Sequence, residues 1–253
     1  MSGWLAIAGL GPGAAELVTP EVTQALAQAT DLIGYAPYVA RVPERVGLTR
    51  HGSDNREELD RARLALHLAA EGRRVIVVSS GDPGVFAMAA AVFEAVDCGD
   101  PSWRNLDIRV LPGISAMFAA AARVGAPLGH DFCAINLSDN LKPWDLIEHR
   151  LRLAAQAGFV IALYNPLSKA RPWQLGRALA LLSEELPEAV PVVFAGAISD
   201  AKEAIDVTTL GDAVAERADM RTLVLIGSLQ TRLIARGDGT SFVYTPRSAG
   251  VSP

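Results

Sequence analysis

Cysteine, aromatic residues and positive charge are all scarce in this 253-residue chain. Its two cysteines, Cys98 and Cys133, cannot form a disulfide framework or, by themselves, a zinc site, so we predict reduced thiols and no metal. Aromatic residues make up 6%, and 23 Lys and Arg face 28 Asp and Glu, for a net charge of −5. Because nucleic-acid binding relies on a cationic face, we expect no nucleic-acid partner.

Long hydrophobic runs are also missing. Apolar stretches such as residues 159–163 are far shorter than the roughly 18 residues that cross a bilayer. Residues 1–4 lack the basic segment of a signal peptide. We therefore expect no membrane partner and a cytoplasmic location.

The chain does contain an alternation of short apolar runs and helical patterns, in a composition of 50% hydrophobic and 20% charged residues. This alternation predicts an α/β fold with mainly parallel or mixed sheets. Gly125, Pro127 and Gly129 interrupt the pattern. We place a boundary there and predict two tandem α/β domains, residues 1–124 and 131–247, with a cofactor cleft between them. Predicted strands cover residues 4–10, 32–35, 75–79, 108–111, 132–137, 159–164, 190–195, 222–226 and 242–244.

Three predicted strands of the first domain run into loops of glycine, proline and small polar residues, at positions 9–14, 79–86 and 111–116. Ligands of open parallel sheets bind beyond the carboxyl ends of the strands, so three such loops together predict a ligand edge. The first loop fits the dinucleotide pattern G-x-G-x-x-A. Its helix begins later, however, at the Thr19–Pro20 start signal, which disfavours NAD or FAD.

Simpler roles stay open for single residues of these loops. Asp82 could cap a helix that begins near Val85, and Ser115 could cap the helix that follows it. A further polar loop, residues 164–172, could be solvated surface. The chain has no nucleophile elbow, no P-loop and no H-E-x-x-H pair.

Taken together, these segments resemble the tetrapyrrole methylase family, from residue 4 to about residue 232. The three glycine-containing loops are similar to the family's own. The resemblance is strongest to the branch that methylates a precorrin at C(17) in cobalamin biosynthesis, and the segments that carry it are residues 34–38, 125–132, 137–139 and 164–168. It implies a homodimeric enzyme that binds S-adenosylmethionine, releases S-adenosylhomocysteine, and converts precorrin-3B to precorrin-4 with ring contraction.

The resemblance also implies a set of cofactor contacts, drawn from both domains. They are Pro12, Ser80, Gly81, Asp82, Val85, Phe86, Ser115, Ala116, Asn165, Ala197 and Leu223. At residues 196–200 the chain departs from the Gly-Arg pair that related enzymes tend to carry.

Methyl transfer from a sulfonium is an in-line displacement, which needs positioning and the exclusion of water rather than a nucleophilic side chain. Ring contraction also needs proton transfers, for which the candidates are Asp82, His130, Asp139 and Lys169. A precorrin carries many carboxylates, so the cleft should contain cations. The candidates beside loops are Arg41, Arg45, Arg50, Arg123, Lys142, Lys169 and Arg171, although a solvated surface position is the favoured interpretation for any single one of them.

Three other functions stay open. The substrate could be a cobalt-bearing analogue, cobalt-factor III. The chain could instead methylate ribosomal RNA or a modified protein histidine, against which the acidic charge and residues 164–166 argue. It could also bind a tetrapyrrole or the cofactor without turnover. Methyl incorporation into RNA, and binding without product, distinguish the last two.

Overall fold

The computed structural model describes residues 3–54, 57–168 and 170–248. The chain divides into two compact units, Met1–Ser115 and Ala116–Pro253. Parallel and mixed sheets with flanking helices confirm the α/β fold predicted from the sequence. In the described part of the chain, no helix combines the length and hydropathy that a bilayer crossing needs.

The first unit contains one parallel sheet. Its strands are β1 (Trp4–Gly9), β2 (Asp31–Tyr35), β3 (Thr49–Ser53), β4 (Arg74–Ser79) and β5 (Ile108–Leu111), in the order β3-β2-β4-β1-β5. All four neighbouring pairs are parallel, so the carboxyl ends of the strands share one edge. The three loops rich in glycine and proline follow β4, β1 and β5, which are direct neighbours.

Helices α1 (Pro20–Gln28), α2 (Ala36–Val39), α3 (Glu58–Ala70) and α4 (Met88–Cys98) cover this sheet. Successive side chains of a strand point to opposite sides, so strands with continuous apolar sequences make both faces of the sheet apolar. Ile7 packs with Leu66 of α3 and Val92 of α4, whereas Ala8 packs with Val22 of α1. The sheet is therefore buried on both faces, as its continuous apolar strands predict.

The second unit begins with α5 (Ala116–Val124) and contains two mixed sheets. The larger has the order β10-β9-β11-β8-β7, with β7 parallel to β8 and β11 antiparallel to β8 and β9. The smaller has the order β12-β13-β6. The elements are β6 (Gly125–Ala126), β7 (Phe132–Asn136), α6 (Trp144–Gln156), β8 (Val160–Tyr164), α7 (Gln174–Glu185), β9 (Pro191–Gly196), β10 (Ala204–Thr209), β11 (Thr222–Ile226), β12 (Arg232–Ala235) and β13 (Ser241–Tyr244).

One face of the larger sheet packs against α6 and α7 through Leu151, Leu175, Val192 and Val224. Helix α5 contacts β11, β13 and β6. The predicted boundary assigned this helix to the first domain, but its packing groups it with the second unit.

Strands β3, β6, β10 and β12 were missed by the sequence prediction. The strands β3 and β10 are edge strands with one neighbour each, and none of their residues is fully buried. An edge strand can be held by backbone hydrogen bonds to one partner, so it needs no continuous apolar run.

Both cysteines are free thiols. Cys98 is exposed and Cys133 is partly buried. Burial raises the pKa of Cys133 to about 11, so this thiol is protonated at neutral pH.

Candidate functional site

The loops after β1 and β4 are joined to each other through their backbones. Gly11 N–H donates to the carbonyl of Gly81 at 3.2 Å, and Gly81 N–H donates back to Gly11 at 2.9 Å. Gly11 adopts φ +65° and Gly81 φ +65°, the left-handed region that glycine enters without strain. Pro12 and Ser80 flank this pair and are half-buried.

The loop after β5 reaches the same place. A Cβ added to Gly113 would lie 2.8 Å from the Cα of Gly9 and closer still to the carbonyl oxygen of Gly81. The sequence prediction that the three loops share one edge is therefore confirmed, and glycine is required where they meet.

Asp82 ties two of these loops together. Its Oδ1 accepts the N–H of Gly84 at 2.8 Å, and its Oδ2 accepts the N–H of Gly113 at 3.0 Å. The alternative that Asp82 caps a helix near Val85 is wrong, because α4 begins at Met88. A role for Asp82 in proton transfer stays a prediction.

Among the described residues, four that are not glycine have a left-handed backbone: Phe86 (φ 52°), Asn165 (φ 51°), Ala197 (φ 47°) and Ser199 (φ 62°). Such conformations cost free energy and cluster at ligand sites. Three of the four belong to the predicted cofactor set. Phe86 is also 49% exposed, which is unusual for its side chain.

In the second unit, Asn165 is held by a residue that the sequence analysis missed. Asn165 Nδ2 donates to Asn136 Oδ1 at 3.0 Å, and the same oxygen accepts the N–H of Ser138 at 2.9 Å. The neighbouring Tyr164 hydroxyl accepts the N–H of Met117 at 3.2 Å, in the first turn of α5. This bond links the start of α5, where Ala116 lies, to Tyr164 at the end of β8, directly before Asn165.

Ser115, the last residue of the first unit, is 3% exposed. Ala197 follows β9, and its N–H donates to the carbonyl of Arg221 at 3.2 Å. Leu223 pairs with Ala195 in the register of β11 and β9 and is 3% exposed. A surface depression of about 340 Å³ is lined in part by Ala197 but not by Leu223. Ala197 thus lies directly after β9 and Leu223 lies in the neighbouring β11, but only Ala197 lines that depression.

Asp139 forms an ion pair with Arg171 and accepts a hydrogen bond from Gln174 Nε2 at 3.2 Å. Burial alone would raise the pKa of Asp139, but the hydrogen bonds from Arg171 and Gln174 and the charge of Arg171 together hold that pKa below its usual value. Asp139 is therefore ionised at neutral pH. Lys169, the other proton-transfer candidate in this part of the chain, lies outside the described residues.

His130 lies in the connection between β6 and β7. Its Nδ1 accepts the N–H of Asp131 at 2.7 Å. In a neutral ring this leaves the proton on Nε2, which can then donate to a ligand.

The arginines proposed for substrate carboxylates are engaged within the protein. Arg45 Nη2 donates to the carbonyl of Leu26 at 3.0 Å, and Arg50 donates to the carbonyls of Val39 and Val42. Arg41 also donates to backbone carbonyls, those of the loop after β1.

In the second unit, Arg123 pairs with Glu203 at 3.0 Å. Within the part of the chain that the structure describes, Lys142 forms no ion pair. Burial, and to a smaller extent the positive charge of Arg150, lowers the pKa of the Lys142 ammonium group. Most of the cations proposed to bind substrate carboxylates are therefore already engaged by groups of the protein itself.

The sequence matches the family described as Tetrapyrrole (Corrin/Porphyrin) Methylases over residues 5–214. The chain belongs to this family. Its members are S-adenosylmethionine-dependent methyltransferases that act on tetrapyrroles. The match covers the three joined loops and the Asn165 region.

Individual relatives agree with this membership. The chain is 58% identical to a precorrin-3B C(17)-methyltransferase of Sinorhizobium sp over 247 residues, which is 98% of this chain and 97% of that protein. The crystal structure of the methyltransferase CobJ superposes with a TM-score of 0.92 at 60% identity, covering 97% of this chain and 100% of that one.

A more distant structure shows the shared fold. Uroporphyrin-III C-methyltransferase from Thermus thermophilus, complexed with S-adenyl homocysteine, gives a TM-score of 0.65 at 21% identity. That comparison covers 89% of this chain and 97% of that one.

Proposed function

We propose that this protein methylates precorrin-3B at C(17) and contracts its ring to precorrin-4, with S-adenosylmethionine as methyl donor, in cobalamin biosynthesis. The observation that carries the proposal is the 58% identity to a protein of that activity over nearly the full length of both chains. The cobalt-bearing analogue is the alternative substrate, and no contact in the described residues favours it.

The joined loops of the first unit support the cofactor assignment. Gly9 and Gly113 let the loops after β1, β4 and β5 meet at one edge of the sheet, beyond the carboxyl ends of the strands, where ligands of open parallel sheets bind. The left-handed residues Phe86, Asn165 and Ala197 are compatible with the same role. The full set proposed for the cofactor is Pro12, Ser80, Gly81, Asp82, Val85, Phe86, Ser115, Ala116, Asn165, Ala197 and Leu223.

In the proposed reaction, C(17) of the substrate attacks the methyl carbon as the bond from that carbon to sulfur breaks, and S-adenosylhomocysteine leaves. The protein has to align the two and exclude water, which fixed loops can do. Among the candidates for proton transfer, Asp139 is ionised at neutral pH and so cannot serve as an acid there. His130 Nε2 can donate a hydrogen bond to the substrate, and its role in proton transfer stays a prediction.

The homodimer implied by the family resemblance and the cytoplasmic location expected from the sequence remain predictions. Apolar side chains exposed on β12 and β13, Leu233, Ile234 and Phe242, are compatible with a second copy. Light scattering should give twice the 26.7 kDa chain mass.

Incubation of the purified protein with S-adenosylmethionine and precorrin-3B, followed by mass spectrometry, tests the function. We expect a product that has gained one methyl group and contains the contracted ring. Parallel incubations with cobalt-factor III and with ribosomal RNA identify the alternative substrates. An unchanged precorrin-3B, together with no binding of S-adenosylhomocysteine in calorimetry, would overturn the proposal, whereas binding without product would indicate a sensor.

A further inference from the structure

Arg41 follows α2 and reaches the loop after β1. Its Nη2 donates to the carbonyl of Leu10 at 2.6 Å and to that of Gly13 at 3.1 Å, and its Nη1 donates to that of Gly11 at 3.2 Å. One half-buried guanidinium therefore contacts three carbonyls within four consecutive residues. This binding mode differs from the carboxylate binding expected from the sequence.

The loop needs such a partner because it has few means of holding its own shape. Residues 9–13 include three glycines, whose backbones are unusually free, and Pro12 has no N–H to donate. Carbonyl oxygens that point to one place repel each other unless a donor or cation lies there. The planar guanidinium, with five N–H groups and a permanent charge, provides both.

The contact extends to the second loop. The carbonyl of Gly11 that Arg41 binds also accepts the N–H of Gly81 at 2.9 Å and the hydroxyl of Ser80 at 3.5 Å. Arg41 thus lies where the first two loops join. Displacing its guanidinium frees the carbonyls that set the orientation of the peptide planes in the first loop.

We propose that Arg41 is a positioning residue, which holds the loop after β1 in the conformation that receives the cofactor. This inference rests on the proposed function, since it assumes that the loop binds S-adenosylmethionine. Arg41 acts through Leu10, Gly11 and Gly13, and the proposal gives it no contact with the methyl group.

Arg45 provides a matched control. It belongs to the same unit, and its guanidinium also donates to carbonyls, those of Leu26 and Ala29. Those carbonyls belong to the end of α1 and the residue after it, not to the glycine loops. If these arginines only stabilise the unit, substitution of Arg41 or of Arg45 should have the same effect. If Arg41 positions the loop after β1, only substitution of Arg41 should disturb that loop.

The test compares Arg41→Gln, Arg41→Lys and Arg45→Gln by calorimetry with S-adenosylhomocysteine. We expect Arg41→Gln to raise the Kd at least about tenfold, the size of effect that a lost hydrogen bond to a charged group produces. Arg41→Lys keeps the charge but not the planar set of N–H donors, so its Kd should lie between those of the wild type and Arg41→Gln. Arg45→Gln should stay within about twofold of wild type. In turnover, the KM for S-adenosylmethionine should rise more than kcat falls.

Amide hydrogen exchange on the protein without cofactor gives a second readout. The N–H groups of Gly11 and Gly81 should exchange faster in both Arg41 variants and at the wild-type rate in Arg45→Gln. Wild-type exchange and wild-type Kd in Arg41→Gln would overturn the proposal, as would equal losses in Arg45→Gln. If the wild-type protein itself binds no S-adenosylhomocysteine, the proposed function fails, and exchange alone decides whether Arg41 holds the loop.

Discussion

At the scale of single residues, Asp31 is the most deeply buried charge among the described residues of the first unit, with no exposed surface. It accepts hydrogen bonds from Thr30 at 2.8 Å, His51 at 2.9 Å and Arg73 at 2.6 Å. Burial alone would raise the pKa of Asp31, but the bonds from His51, Thr30 and Arg73 lower it below 3.8. Asp31 begins β2, so this cluster lies at the edge opposite the glycine loops and serves stability.

We predict that Asp31→Asn lowers the free energy of unfolding by about 2 kcal/mol at neutral pH, because it removes charged hydrogen bonds. A carboxyl whose folded pKa is depressed stabilises the protein above its unfolded value of 3.8, and this contribution is lost as pH falls through the folded pKa. In denaturant unfolding, the free energy of unfolding should therefore decrease less with falling pH in Asp31→Asn than in the wild type. The same pH dependence in both proteins would contradict this, and the exposed Asp107→Asn, beside Arg109, is the control with a much smaller effect.

Asp82 gives a prediction about the site. Asp82→Ala removes the acceptor that joins Gly84 and Gly113, so S-adenosylhomocysteine should bind about tenfold more weakly in calorimetry. Asp82→Asn keeps one carbonyl acceptor and should lose less. Asp100→Ala is the matched control, because Asp100 accepts the N–H of Ser102 at 2.8 Å in a turn outside the three loops. An unaltered Kd in Asp82→Ala would show that the loops meet without this carboxylate.

At the scale of elements, the ends of β1, β4 and β5 are close enough that side chains are excluded. A Cβ on Gly9 would lie 2.8 Å from the Cα of Gly113 and nearer to the carbonyl of Gly81. We predict that Gly9→Ala lowers the free energy of unfolding by about 1–3 kcal/mol and weakens cofactor binding, since the loops must separate.

Gly176→Ala is the control for this substitution. Gly176 lies in α7, and the nearest atom to an added Cβ is the Ala215 Cβ at 3.8 Å. Alanine should stabilise this helix by about 0.5–1 kcal/mol without affecting the loops. Thermal unfolding and calorimetry on both variants check the pair, and a Gly9→Ala protein with wild-type affinity would refute the packing argument.

At the scale of the whole molecule, the two units have separate cores, and α5 belongs to the second. Met117, Ala120 and Val124 of this helix are buried, and the helix contacts β11 and β13. We predict that a fragment of residues 116–253 unfolds cooperatively, whereas residues 125–253, which lack α5, unfold at lower temperature or aggregate because a sheet face is exposed. Circular dichroism with heating decides this, and identical transitions would favour the later boundary predicted from the sequence.

The sequence by itself determined the central strands and the loops that follow them. Strands β1, β4 and β11 are continuous apolar segments, and burial on both faces requires that composition. The glycines after β1, β4 and β5 could be predicted to share an edge because parallel strands end together. Edge strand β3 could not be predicted, since one neighbour holds it and its residues are polar or small.

Only the tertiary structure decided how polar side chains are paired. Arg41 contacts a loop about thirty residues earlier in the chain, at Gly11, and Asn136 contacts Asn165 across two parallel strands. Composition and periodicity report which residues are buried, whereas a hydrogen bond depends on distances of about 3 Å between elements remote in sequence. These distances are set by strand order and register, and so the partners of Arg41, Asp82 and Asp139 become visible only in the folded chain.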